Sequence, residues 1–218
     1  LRHSSLTLSN AHIVEIPDAD GLTDDDDNDG LYFEGALVMD GETIGSTLTD
    51  VVFALGEDDG VDHHNATLTI VRGWFQDLVH EGIAASGVGS VTVEDSVAMG
   101  CDQGIEAGYG TPTVIVRHCL LVNNRVGLRF GDDYDWADEG FLDVTHSVSV
   151  DNSEANVLNL TDTGDPRPGA IQIGCSMVDD DAFDGLDGNV SGVPSWTTEG
   201  CVDVAPCAGA PVGPTTCE

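Results

Sequence analysis

The chain has 218 residues, enough for one domain with a full core. Forty Asp and Glu face six basic residues, all arginine, and the formal net charge of −34 excludes nucleic acid and anionic membrane surfaces as partners. No run of about 18 apolar residues exists for membrane insertion, yet 40% of the residues are hydrophobic, so the chain is not a disordered acidic tail.

The first predicted element is a strand at Leu6-Thr7-Leu8, followed by an acidic loop that runs from Asp18 to Gly30. Within the loop, Asp25-x-Asp27-x-Asp29-Gly30 turns alternate carboxylates inward, and the glycine permits the bend. The segment resembles the calcium loops of EF-hand and thrombospondin-type proteins. An EF-hand carries its bidentate glutamate at the position of Ala36, and Glu34 stands two residues earlier. The resemblance implies Ca2+ held by Asp25, Asp27, Asp29 and Glu34.

From that loop onward the chain repeats. Glycine, once replaced by Asn156, is followed by an aliphatic residue at Gly30-Leu31, Gly60-Val61, Gly82-Ile83, Gly104-Ile105, Gly127-Leu128, Asn156-Val157 and Gly185-Leu186. A second column precedes it, with alternating, β-branched strands around Leu8, Leu48, Ile70, Val93, Val116, Val144 and Ile173. From Leu48 onward the arc to the next glycine or Asn156 is 11 or 12 residues, and the length variation falls in the turn after the glycine strand. A constant arc with a variable turn is the signature of stacked coils whose register is fixed by inward side chains. The predicted fold is all-β, a solenoid of about seven coils of 22–30 residues over 1–190, with an irregular tail at 191–218. By coil length and column pattern the chain resembles the right-handed parallel β-helices of pectate-lyase-like architecture.

Stacking residues 22 apart assembles one acidic patch. Asp58, His80 and Asp102 fall in one row, with Asp59, Glu81 and Gln103 beside them; Asp62, Glu106 and Arg129 form another. Close carboxylates repel, which raises a pKa or recruits a cation, so Asp58 and Asp59 are further metal candidates. The turn Gly131–Trp136 is placed to wall a groove beside them.

Gly60-Val61-Asp62-His63-His64-Asn65 and the strand to Ile70 resemble the G-F-D-P-H-E segment of mannuronan C5-epimerases. The resemblance implies that Asp62 and His64 lie in a catalytic groove and move the C5 proton of a uronate. In that family a tyrosine and a lysine or arginine complete the site. Here Asp59 stands where the tyrosine is expected, and the chain has no lysine, leaving Arg129 as the nearest substitute. His80 and Glu81 are the other catalytic candidates.

Other residues read as structural. His118 and His146 share a column with Asp95 at the turn after the first strand, where polar ladders satisfy backbone groups. Trp74, Phe75, Phe130 and Phe141 read as packing, whereas Tyr109, Tyr134 and Trp136 lie in turns where rings could stack on sugars. Cys119 reads as a small buried residue on an apolar strand. Cys201, Cys207 and Cys217 crowd the tail, which predicts a disulfide staple and an oxidising, extracellular compartment. The chain opens at Leu1 and reads as a mature fragment or an excised domain.

Two functions follow. The first is an extracellular, calcium-stabilised β-helix module of a larger surface or secreted protein, structural, adhesive or glycan-binding, whose partners are a polysaccharide and neighbouring domains or protomers. The second is a polysaccharide-modifying enzyme, a lyase, epimerase or glycoside hydrolase, built on Asp62, His64 and His80.

Overall fold

A computed structural model describes residues 1–17, 28–132, 137–161, 163–183, 187 and 189–190. Among them every regular element is a strand, and no helix is long and apolar enough to cross a membrane. Sixteen strands join one sheet of parallel pairs, a nearly closed solenoid; a separate antiparallel pair, Leu37–Met39 with Glu42–Ile44, fills the first long turn.

Both sequence columns are ladders. Leu31, Val61, Ile83, Ile105, Leu128 and Val157 pair in register from strand to strand. Leu8, Leu48, Ile70, Val93, Val116, Val144 and Ile173 do the same. A third ladder, not separated in the sequence, links Ile13, Phe53, Phe75, Ala98, Leu121, Ser149 and Val178. It is hidden because a single residue makes the corner before it. Asp50, Arg72, Asp95, His118, His146 and Cys175 all have positive φ at that corner, so one apolar alternation runs straight into the next. A second left-handed corner follows at Leu55, Asp77, Gly100, Asn123 and Asp151.

The core is the line of inward side chains. Leu48, Ile70, Phe53, Phe75, Val61 and Ile83 are fully buried, and the rings of Phe53 and Phe75 stack with centroids 5.3 Å apart. Phe130 joins this core; Phe141 is half-buried; Trp74 faces outward and exposed, with its indole N–H donating to Gln76 Oε1 at 2.9 Å. The packing expected of Trp74 fails because its neighbours Gly73 and Phe75 hold the inward positions of that strand, and alternation turns Trp74 to solvent.

The glycine column has a steric cause. A Cβ on Gly60 would lie 2.7 Å from the carbonyl oxygen of Gly82, and one on Gly82 would lie 2.7 Å from that of Gly104. Each glycine thus lets the next lap approach closely at this corner.

Buried polar ladders satisfy the corners. Ser96 Oγ accepts from Gly73 N at 2.9 Å, Ser147 Oγ from Cys119 N at 3.1 Å, and Ser176 Oγ from Ser147 N at 3.1 Å. Asn124 accepts from Cys101 N at 3.0 Å and donates to Ala98 O at 3.1 Å. His118 and His146 stack with ring centroids 5.1 Å apart, both at the left-handed corner that also carries Asp95. Cys101 and Cys119 are buried free thiols, pushed up to about 11 and about 12 by burial. Cys119 sits at a corner, two residues beyond the strand Gly110–Arg117, not on the strand itself. The tail cysteines and the strand at Leu186 lie outside the described residues.

Candidate functional site

Alternation on the strand Val61–His64 buries Val61 and His63 and turns Asp62 and His64 outward. The outward face of this ladder forms the floor of a cleft of about 660 Å³. Asp29, Asp58, Asp59, Asp62, Glu81, Asp102, Glu106 and Asp132 line it, with Arg125, Arg129, His80, Gln103, Tyr109, Ser86 and Ala84. Among the described residues the cleft therefore collects eight acids against two arginines.

The rows follow the register. Asp62 pairs with Ala84, and Glu106 with Arg129, whose guanidinium stands 3.6 Å from the Glu106 carboxylate with both side chains buried. Beside them Asp59 Oδ1 accepts from Glu81 N at 2.7 Å, and Gln103 Nε2 donates to Glu81 Oε1. In the adjoining row His80 Nδ1 lies 2.7 Å from Asp58 Oδ1. Arg125 grips Asp102 through two bonds of 2.6 and 2.8 Å and reaches Glu154 at 2.6 Å.

Burial raises the pKa of three of the cleft acids, Asp59, Glu81 and Glu106. Asp59 and Glu106 are held well above the ordinary carboxylate range, first by desolvation and then by the negative charge of Glu81. For Glu106 the attraction of Arg129 offsets only part of that. Glu81 is likewise raised, chiefly by desolvation. Tyr109 is raised by burial and by Asp62 and Asp132, so its phenol keeps its proton. His63, fully buried, is lowered by desolvation and stays neutral.

At the edge of the cleft His64 Nδ1 is 3.0 Å from Ser86 Oγ and 3.1 Å from the Tyr109 hydroxyl. The chain brings these together because His64 and Ser86 pair across adjacent strands, and Tyr109 follows one further lap along. A tyrosine therefore does stand beside the histidine of the 60–70 segment, supplied from 45 positions further on and not by the segment itself. The same spacing of 22 that stacked the acids leads from His64 through Ser86 to Gly108-Tyr109, and it is the signal that would have placed Tyr109 here.

The structure gathers Asp58, Asp59, Asp62, His80, Glu81, Arg129 and Asp29 around one cleft, with His64 bonded to two of its lining residues. Asp132, from the turn expected to wall the groove, lines it as well. Glu34 sits on the strand Leu31–Glu34, in an ion pair with Arg2 at 2.5 Å. Asp25, Asp27 and residues 133–136 lie outside the described residues. Among the described residues, Asp58, Asp59 and His80 form the group whose donor atoms all lie within 4.8 Å of one another, close enough to share a metal ion. No protein-family model, curated protein or solved structure matches the chain.

Proposed function

We propose that the protein is an extracellular, right-handed parallel β-helix of about seven coils whose cleft modifies a polysaccharide by proton transfer at C5 of a uronate, ending in epimerisation or β-elimination. The observation that carries this is the His64–Tyr109 contact of 3.1 Å at the rim of a cleft beside Asp62. His64 acts as the base that takes the C5 proton, oriented by Ser86; Tyr109, whose raised pKa keeps its phenol protonated, gives a proton to C5 in epimerisation or to the departing glycosidic oxygen as the C4–O4 bond breaks in β-elimination. Asp62 shares the outward face of the same strand and stabilises the histidinium that forms. Arg129, the candidate to neutralise the substrate acid, is 5% exposed and faces Glu106, so a bound cation is the better source of that charge. Calcium on the Asp25–Asp29 loop, and a disulfide staple of the tail, belong to this proposal as stabilisers.

A second reading, a non-catalytic calcium-stabilised module that binds glycans or holds neighbouring domains, is favoured by the charge of the cleft. Eight acids against two arginines repel a polyuronate and slow its approach. One experiment separates the two. The chain is incubated with alginate, pectate and chondroitin in millimolar Ca2+, with absorbance at 235 nm and the anomeric region of the NMR spectrum followed over time. Turnover that falls by about 10²–10⁴ in His64→Ala and Tyr109→Phe supports the enzyme. Glycan binding without turnover supports the module and overturns the enzyme.

A further inference from the structure

We infer that Asp58, Asp59 and His80 form a seat for a divalent transition-metal ion, chemically distinct from the calcium loop ahead of Gly30. The set is not a plain acidic cluster, since it mixes two carboxylates with an imidazole, and its donor atoms all lie within 4.8 Å of one another. Calcium takes oxygen ligands, whereas nitrogen beside oxygen suits Zn2+ or Mn2+. His80 Nδ1 and Asp58 Oδ1 already stand 2.7 Å apart, so the imidazole is held beside its prospective co-ligand and ordering it around an ion costs little.

A second observation points to a ligand. Asp58 is 2% exposed, and among the described residues its Oδ2 has no hydrogen-bond partner; Gln103, 4% exposed and lining the same cleft, has an Oε1 in the same condition. Both orphaned atoms are acceptors, and buried acceptors are normally satisfied. A cation coordinated by Asp58 satisfies its oxygen and offsets the negative charge around it. The seat stands without any assumption about activity. That the ion neutralises the carboxylate of a uronate is a step resting on the proposed function.

The test uses the full chain, stripped with chelator and held in millimolar Ca2+ so that exposed acids and the calcium loop are filled. Zn2+ is then titrated by calorimetry, without glycan, into the native chain, Asp58→Asn and His80→Ala. One Zn2+ equivalent that persists against Ca2+ and weakens at least tenfold in both variants is expected. Should either variant fold poorly, the imidazole nitrogen resonances of the native chain provide the same answer: Zn2+ should shift those of His80. Equal Zn2+ affinity in native and variant chains, competition by Ca2+ at that site, or unmoved His80 resonances would overturn the seat. If Zn2+ binds and no glycan turns over, the enzymatic reading fails and the metal site stands.

Discussion

Two outward faces of the same solenoid use charge in opposite ways. Along Leu48, Ile70, Val93 and Val116, ions pair in solvent: Arg117 with Glu94 at 3.3 Å on the strands and Arg72 with Asp50 at 2.6 Å at the corner that follows, all well exposed. On the face over Val61, Ile83, Ile105 and Leu128, Asp59, Glu106 and Arg129 are buried. Exposed pairs gain little from Coulomb attraction and cost little in desolvation. Buried carboxylates are expensive, and their raised pKa values record that cost. The fold requires neither arrangement, since both faces are outward positions of parallel strands. Among the described residues the costly arrangement falls on the cleft face, and this contrast supports the proposal that the cleft is the functional side.

Turnover should separate the faces most. His64→Ala loses it by the margin given above, whereas Arg117→Ala, on the solvated face, leaves the rate within twofold of native. Equal losses in both would mean that the two faces do not differ in function.

The next largest effect is on stability beneath the cleft. Gly82→Ala drives a methyl group to 2.7 Å from the Gly104 carbonyl and should cost about 1–3 kcal/mol. For a chain of this size that is a fall in Tm of roughly 2–4 °C per kcal/mol. Val88→Ala, exposed on the outer surface, is its control and should melt like the native chain. An unchanged melt for Gly82→Ala would mean that the laps are not in close contact at the glycine column.

A smaller effect concerns pH. Asp59, Glu81 and Glu106 have folded pKa values above their unfolded ones, so the folded chain holds protons that the unfolded chain has already released. These three groups therefore make stability fall as pH rises from the ordinary carboxylate range, about 4, through their raised values. His63, lowered by burial, works the other way below about 6.5, because the unfolded chain takes up its proton first. Glu106→Gln removes one of the three and should flatten the fall of Tm with rising pH, with a higher Tm at pH 8. A Glu106→Gln slope equal to the native one would contradict burial of the charge.

Much of the fold was legible because stacking repeats one constraint on every lap. Gly60, Gly82 and Gly104 recur at intervals of 22, since each must let the next backbone approach, and Leu48, Ile70 and Val93 recur because each fills the same slice of core. The third ladder escaped because Asp50, Arg72 and Asp95 turn the chain with one residue each and leave no glycine or proline to mark the corner. In the site, the acids came from the same arithmetic, and Asp62, Glu106 and Arg129 do share a row. Tyr109 was visible only as a loop aromatic, since its partner His64 lies two laps away and the 60–70 segment by itself has no tyrosine. Trp74 showed the limit of composition: an aromatic beside Phe75 reads as core, and only the strand's alternation turns it out.

The most direct measurement is a carbon-13 titration of the glutamate side-chain carboxyls, with Glu81, Glu94 and Glu106 assigned by single substitutions to Gln. The account predicts that Glu81 and Glu106 titrate above the ordinary glutamate value of about 4.3, with Glu106 further displaced, and that each midpoint moves when the other is neutralised. Midpoints for Glu81 and Glu106 in the range of an exposed glutamate, each indifferent to the other's substitution, would contradict a buried acidic cleft.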